Sequence, residues 1–188
     1  MSTPKYLSET AYSYIKDCIV NCVYLPTQDI SEKQIAEEIN IGRTPVREAL
    51  LRLQHEGLVD IFPRKKICVS KITEIDIYDV YELSKLIDPV IAVQQKRNID
   101  KNKLLDYKKR FESLLVDNVL SEKEFYSLDM DFHRFIIESS KNSLLLNFYS
   151  SLMQKQYRIG VYSIVTHSTN PKEKTIAEHN EIIDSILR

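Results

Sequence analysis

The chain has 188 residues, of which 43% are hydrophobic and 28% are charged, and its formal net charge is −1. This composition is ordinary for a globular protein of one large or two small domains. Because the chain as a whole is not basic, its net charge gives no indication of nucleic-acid binding. No run approaches the ~18 uninterrupted apolar residues of a membrane span, and the first residues lack the apolar core of a signal peptide. Three cysteines make no paired disulfide framework, so we expect a cytoplasmic protein with cysteines as small core residues.

Apolar periodicity predicts a first helix over about residues 7–23, followed by a loop over residues 24–30 around Pro26. One side of this helix is predicted to be buried, and it carries Leu7, Ala11, Ile15, Ile19 and Cys22.

Two short helices are predicted next. Ser31 with Gln34 three residues later has the spacing of a capping box. After a break at residues 40–42, Thr44 is predicted to cap a second helix that has Pro45 at its first position and ends at Gly57. The predicted inward side of that helix carries Val46, Ala49, Leu50 and Leu53.

Basic residues gather at two places in this segment. Arg43 and Arg47 lie at the N-terminal end of the second helix, the end that enters the major groove in a helix-turn-helix. Two β-prone runs, residues 58–62 and 67–69, flank a tip that contains three positive charges, as in the wing of a winged helix. Each arginine taken singly is more often a solvated surface residue, but the combination favours DNA binding.

Residues 31–59, above all the run RTPVREALLRL followed by EGLV, resemble the N-terminal domain of GntR-type bacterial transcription regulators. The chain departs from the family pattern where glycines are usual, with Cys22 and Thr27 before the motif and Lys66 at the wing tip, and it has Gly42 where Ser is common. The resemblance implies double-stranded DNA as a partner. The expected DNA-contacting residues are Lys33, Arg43, Thr44, Arg47, Arg64, Lys65 and Lys66.

Beyond residue 70 the pattern predicts helices only. Their expected ranges are about 74–97 with a kink at Pro89, 100–116, 121–139, 143–165 and 171–188. The residues predicted to face the core from the first two of these helices are Ile75, Tyr78, Leu86, Val90, Leu104, Phe111 and Leu115. The last helix has no stop signal, so we expect a further helix to be missing.

The predicted fold is therefore mainly α. A winged helix-turn-helix domain over residues 1–71 precedes an antiparallel all-helical bundle over residues 72–188.

Three polar residues interrupt apolar helix faces in this second part. Asp129 and His133 are four residues apart and share one side of a helix, and His179 lies among isoleucines in the last helix. Burial of a carboxylate and two imidazoles costs free energy unless these groups have polar or charged partners. A divalent cation would be such a partner. A hydrogen-bonded Asp–His pair without metal is the more frequent outcome for this spacing alone.

The runs VYELSKLIDPVIA, DMDFHRFI and AEHNEII are similar to the FCD effector domain of the FadR subfamily. This resemblance implies that Asp129, His133 and His179 bind a metal, with zinc expected first and nickel or manganese as alternatives. It also implies a small organic acid as effector. Ser84 and Asp88 stand where members often have Arg and Glu, and Arg158 is the candidate effector-binding cation, with a surface position as its alternative.

We therefore expect a ligand-responsive transcription regulator that binds a palindromic operator as a homodimer, with repression as the expected outcome. One alternative is a metal-dependent hydrolase or oxygenase that uses the Asp/His/His set. Another is a helical dimer module with an inert polar core.

Overall fold

The structure is a computed structural model, and it describes residues 4–63, 66–117, 121–167 and 172–188. The chain divides into two units, Met1–Glu74 and Ile75–Arg188, referred to below as the N-terminal and the C-terminal unit. The mainly helical fold with a small sheet confirms the predicted fold class. The elements in chain order are α1 (Pro4–Val20), β1 (Asp29–Ile30), α2 (Glu32–Glu38), α3 (Arg43–His55), β2 (Val59–Phe62), β3 (Lys66–Val69), α4 (Glu74–Gln95), α5 (Lys101–Asp117), α6 (Glu122–Glu138), α7 (Ser143–His167) and α8 (Lys172–Leu187).

Helix α1 packs against α3 and buries Ala11, Ile15 and Ile19, as predicted. It ends three residues before the predicted position. The chain turns at Cys22, whose φ of 54° lies in the left-handed region. The backbone N–H of Val23 then donates to the Cys18 carbonyl over 2.8 Å, which closes the helix end.

The sheet contains a strand that the sequence did not predict. Its order is β1-β3-β2 with antiparallel pairing, and β1 places Asp29 opposite Cys68 and Ile30 opposite Ile67. The prediction of an irregular loop over residues 24–30 is therefore wrong at its last two residues. A two-residue strand is too short to show alternation, and its pairing depends on a partner far along the chain.

The prediction that Ser31 caps α2 is confirmed, although the Gln34 side chain donates to Glu38 Oε1 over 2.9 Å. The predicted cap of α3 is not confirmed. The Ser31 Oγ accepts a hydrogen bond of 3.1 Å from the Gln34 backbone N–H. Helix α3 begins at Arg43 with Gly42 as the N-cap residue, so the prediction that Thr44 is the cap is wrong. Pro45 is tolerated at the third position because the N–H groups of the first turn have no helical acceptor. Gly57, with φ of 70°, follows the end of α3 as predicted.

All elements that the structure describes within the C-terminal unit are helices, which confirms the all-helical prediction. Ser121 and Glu124 form a reciprocal capping box at the start of α6. Helix α6 packs on α7, and α5 packs on α8. A core cluster of this unit is formed mainly by residues of α5, α6 and α8, among them Leu104, Phe111, Phe125, Phe132, Ile176 and Ile183.

Several inward predictions for this unit are wrong. Ile75, Tyr78, Leu86 and Val90 are all at least half exposed, and the buried residues of α4 are Val80 and Ser84. Leu115 at the end of α5 is also exposed. Apolar residues occur on both sides of α4, so periodicity alone could not tell which side faces the core.

Among the described residues, no helix is long and apolar enough to cross a membrane.

Candidate functional site

The N-terminal end of α3 presents polar side chains to solvent. Arg43, Thr44 and Arg47 are exposed, while Val46 and Leu50 on the opposite side are buried in the core of the N-terminal unit. The Arg47 side chain is 73% exposed, and its Nε lies 4.0 Å from Glu32 Oε1 at the start of α2. An exposed ion pair at this distance contributes little, so Arg47 can exchange it for a phosphate or a guanine edge.

Arg52, the third arginine of α3, has a different role. Its guanidinium lies 3.5 Å from the centroid of the Tyr12 ring and 2.8 Å from Glu9 Oε2, both on α1. Tyr12 Oη and Lys16 Nζ donate to Glu56, at 2.7 and 2.8 Å. Burial tends to raise the pKa of Glu56, but these hydrogen bonds outweigh burial and lower it. This network fixes α3 on α1 and leaves its N-terminal end exposed.

The other predicted DNA contacts lie on neighbouring elements. Lys33 on α2 is 68% exposed, 3.8 Å from Glu37. Lys66 begins β3, with its Nζ 3.3 Å from Asp29 Oδ1. Arg64 and Lys65 lie outside the described residues. The described candidates are therefore exposed on α2, α3 and the β2–β3 hairpin of one unit.

The three predicted metal ligands come together in the C-terminal unit. Asp129 and His133 lie on α6 and His179 on α8, and one potential ligand atom from each lies within 4.8 Å of the others. His179 Nε2 is 3.0 Å from Asp129 Oδ1 and 3.4 Å from His133 Nε2. His133 Nε2 is 3.9 Å from Asp129 Oδ1. Residues 46 positions apart in sequence thus converge on one point.

This arrangement fits a divalent metal. Ligand atoms that each lie about 2.0–2.1 Å from a tetrahedral zinc ion are about 3.3 Å apart, close to the observed separations. One carboxylate and two imidazoles also form a donor set suited to zinc and related metals. His179 Nδ1 is buried without a hydrogen-bond partner among the described residues. A polar core without metal, the last alternative of the sequence analysis, would therefore leave this hydrogen-bonding group unpaired.

Sequence reasoning named Asp88 but did not predict that Asp88 and Tyr149 lie beside this cluster. Asp88 Oδ2 on α4 lies 2.9 Å from His133 Nδ1. Tyr149 Oη on α7 donates a hydrogen bond of 2.6 Å to Asp88 Oδ1. The contact favours a proton on His133 Nδ1 and leaves Nε2 as the ligand atom. Burial tends to lower the pKa of His133, but Asp88 and Asp129 outweigh it and raise this pKa. The sequence feature that could have indicated this contact is Asp88, an acidic residue on the side of α4 that faces the cluster.

A cavity of about 400 Å³ adjoins the cluster. Its wall is formed by α4, α6, α7 and α8, and the lining residues include Tyr81, Ser84, Lys85, Asp88, Phe125, Tyr126, Gln156, Thr175, Glu178 and Ile182 with the three candidate ligands. Arg158 is only 7% exposed, so its predicted surface alternative is wrong, and it is not among the lining residues. Lys85 is the cation in the described part of the wall.

Comparison with known families gives two matches. Residues 7–69 match the family described as "Bacterial regulatory proteins, gntR family", and residues 79–188 match the FCD domain.

Similar proteins and structures agree with these matches. The HTH-type transcriptional regulator YdhC of Bacillus subtilis (strain 168) is 24% identical over 99% of this chain and 82% of its own length. The HTH-type transcriptional repressor RspR of Escherichia coli (strain K12) is 22% identical over 97% of this chain and 79% of its own. The crystal structure of a GntR transcriptional regulator from Rhodococcus sp. RHA1 shares the fold, with a TM-score of 0.73 and 15% identity over 95% of this chain and 85% of that one.

The two family matches favour the transcription regulator over the hydrolase or oxygenase alternative. With matches that together cover most of its length, the chain belongs to the GntR family of bacterial transcription regulators, and an FCD domain follows its helix-turn-helix.

Proposed function

We propose that the protein is a cytoplasmic repressor that binds a palindromic operator as a homodimer and responds to a small carboxylate held by a divalent metal. Residues 1–71 would bind DNA and residues 72–188 the effector. The observation that carries the proposal is the convergence of Asp129, His133 and His179 beside a cavity, in a chain that also carries a helix-turn-helix.

DNA binding would use the exposed N-terminal end of α3. Arg43 and Arg47 can each donate two parallel hydrogen bonds to a guanine or contact phosphates. Thr44, Lys33 and Lys66 would contact backbone phosphates, since a hydroxyl or ammonium positions a protein without reading sequence. Arg64 and Lys65 would extend these contacts through the wing. Affinity should therefore fall steeply with added salt.

Dimerisation would use an exposed apolar stripe on α4, defined as Leu83, Leu86, Val90 and Val93. These residues are 37%, 62%, 50% and 76% exposed. Their spacing of three, four and three residues is that of a two-helix seam, so a second copy of α4 would bury the stripe. This explains why Leu86 and Val90, which we expected in the core, face outward.

The stripe can be tested directly. Leu86→Asp should convert the dimer into monomers and weaken operator binding at least tenfold, because a charge in an apolar seam is not compensated. Sedimentation equilibrium and DNA titration measure both effects. Leu105→Asp, a matched change at an exposed leucine of α5, should alter neither. A dimer that tolerates Leu86→Asp would contradict this role of the stripe.

In the effector site, Asp129, His133 and His179 would hold the metal. A bound divalent cation supplies a Lewis acid that can hold a ligand carboxylate. Asp88 and Tyr149 orient His133, and the aromatic rings of Phe111 and Phe132 pack beside His179 with centroids 4.7 and 4.8 Å away. These rings limit water access and reduce the mobility of the ligand side chains.

Helix α4 would connect the two events. Ser84, Lys85 and Asp88 line the cavity on one side of α4, and the apolar stripe occupies the other side. A ligand that contacts the cavity side can favour one position of α4 over another, and hence one arrangement of the dimer. Regulation requires that the ligand bind these arrangements with different affinity.

Purified full-length protein, stripped of metal and then reloaded with zinc, tests the proposal. We expect about one metal ion per chain, a dimer, and salt-sensitive binding to a palindrome from the promoter of its own operon. Failure to bind any double-stranded DNA at low salt would contradict the DNA-binding proposal. Failure to bind zinc, nickel or manganese would contradict the metal-anchored site.

A further inference from the structure

We propose that the cavity selects a small hydroxylated monocarboxylate over a dicarboxylate, and that Ser84 and Gln156 determine this choice. The inference presupposes the metal-anchored effector site proposed above, and it adds the chemical class of the ligand and the residues that read its uncharged groups.

The charges around the cavity leave room for one carboxylate. Asp88 and Asp129 are the acids of the wall whose side chains are largely buried, at 18% and 10% exposure. A divalent ion bound by neutral imidazoles would cancel these two charges. One ligand carboxylate on the metal then makes the site singly negative, and a second would add another charge with no buried lysine or arginine among the described lining residues of the cavity.

The two other charged residues of the wall do not change this balance. Lys85 is solvent-exposed, so water and salt screen its attraction for a second carboxylate. Glu178 is exposed as well, and its Oε1 lies 3.8 Å from Lys174 Nζ. Neither residue supplies the desolvated positive charge that a second carboxylate would need.

Uncharged polar groups stand elsewhere in the wall. Ser84 on α4 and Gln156 on α7 are each 6% exposed. The single proton of Ser84 Oγ can be donated to the Val80 backbone carbonyl at 3.3 Å or to Gln156 Oε1 at a long 3.4 Å. Tyr126 Oη donates a hydrogen bond of 2.9 Å to the Gln156 backbone carbonyl, and this bond fixes the surrounding part of α7 against α6. A ligand hydroxyl can both donate and accept a hydrogen bond. It could therefore pair with the Ser84 hydroxyl and the Gln156 amide in place of the long hydrogen bond between them.

The spacing suits a short ligand. Ser84 precedes Asp88 by four residues on the same side of α4, which separates their Cβ atoms by about 5–6 Å. Asp88 contacts His133 of the metal cluster. A three- or four-carbon acid could therefore have its carboxylate at the metal and a hydroxyl at Ser84 and Gln156, within a cavity of about 400 Å³.

Glycerate and malate provide a matched pair of probes. Both are 2-hydroxy acids, and they differ in whether the other end carries a hydroxyl or a second carboxylate. With zinc-loaded full-length protein in calorimetric titrations, we expect glycerate to bind roughly tenfold more tightly than malate, a difference that one uncompensated charge readily produces. Ser84→Arg should reverse the preference, because it places a cation in the wall. Ser84→Ala should weaken glycerate without strengthening malate.

The outcomes separate this inference from the function on which it depends. Zinc binding with malate equal to or tighter than glycerate, or with neither acid bound, would overturn the inference and leave the metal site standing. Absence of zinc binding would overturn the metal site itself. Circular dichroism checks that Ser84→Arg is folded. Gln156→Lys, which brings a cation from α7, should also favour malate and provides a second test.

Discussion

The two units place their candidate functional side chains in opposite environments. In the N-terminal unit, Arg43, Thr44 and Arg47 are exposed at the end of α3, and a separate network around Arg52 and Tyr12 holds that helix in place. In the C-terminal unit, Asp129 and His179 are buried within the helical core itself. Under the proposed function, DNA binding and stability depend on different residues in the first unit, whereas metal binding and stability depend on the same residues in the second.

This difference determines how each unit should respond to mutation. Exposed side chains contribute little to folding, so their loss should impair DNA binding in a folded protein. A buried carboxylate and two imidazoles are held at a free-energy cost, and a bound metal would offset it. Changes at the cluster should therefore alter metal binding and stability together.

The largest expected effect is at Asp129. Asp129→Asn keeps the shape of the side chain but removes its charge, and we expect metal affinity to fall more than a hundredfold. Metal at a hundred times its dissociation constant should stabilise the wild type by about 2.7 kcal/mol, and the variant should lose this gain. Thermal denaturation with and without zinc measures it.

Asp131→Asn on the same helix is the control, because its side chain is exposed. It should keep the full zinc-dependent gain. An Asp129→Asn protein that zinc stabilises as much as the wild type would show that Asp129 is not a ligand.

The next effect is on DNA binding. Arg47→Ala should weaken operator binding by about 1–3 kcal/mol if Arg47 reads a base, and the melting temperature should change little because the side chain is 73% exposed. Fluorescence anisotropy with labelled operator measures the affinity. Arg97→Ala, at an exposed arginine of the C-terminal unit, should bind as the wild type does. Equal affinities of the two variants would remove Arg47 from the DNA-contacting surface.

A packing effect of similar size is expected at Gly160 on α7. A Cβ there would lie 2.1 Å from Cζ of Tyr126, whose ring lines the cavity. Gly160→Ala should lower the free energy of unfolding by about 1–3 kcal/mol, measured by urea denaturation, because Tyr126 must move. Gly42→Ala, where the nearest atom is Pro45 Cδ at 3.8 Å, should have a smaller effect. Equal losses would indicate that α6 and α7 pack less closely than described.

The smallest effect is a gain. Thr27 has a φ of 69°, which is unfavourable for a β-branched residue. Thr27→Gly should raise the free energy of unfolding of the N-terminal unit by about 1 kcal/mol and leave DNA affinity unchanged. Thr27→Ala, which keeps a Cβ, should gain less. Destabilisation by Thr27→Gly would show that the side chain of Thr27 makes compensating contacts.

The same contrast explains what the sequence could reveal. Caps such as Ser31, the glycine at position 57 and the exposed arginines of α3 depend on neighbouring residues, so local patterns predicted them. The pairing of β1, the outward stripe on α4 and the approach of Asp88 to His133 depend on residues far apart in the chain. Asp129, His133 and His179 were found because each interrupts an apolar helix face, and the family resemblance joined them.

Under the proposed function, a ligand in the metal-anchored cavity controls DNA binding by the same molecule. The most direct measurement is an operator titration of zinc-loaded protein with and without saturating glycerate, beside His179→Ala. The wild type should lose at least tenfold in DNA affinity when glycerate is added, and the variant should bind DNA equally with and without it. A wild-type affinity unchanged by glycerate and by every other small carboxylate tested, or a response that survives in His179→Ala, would contradict the claim.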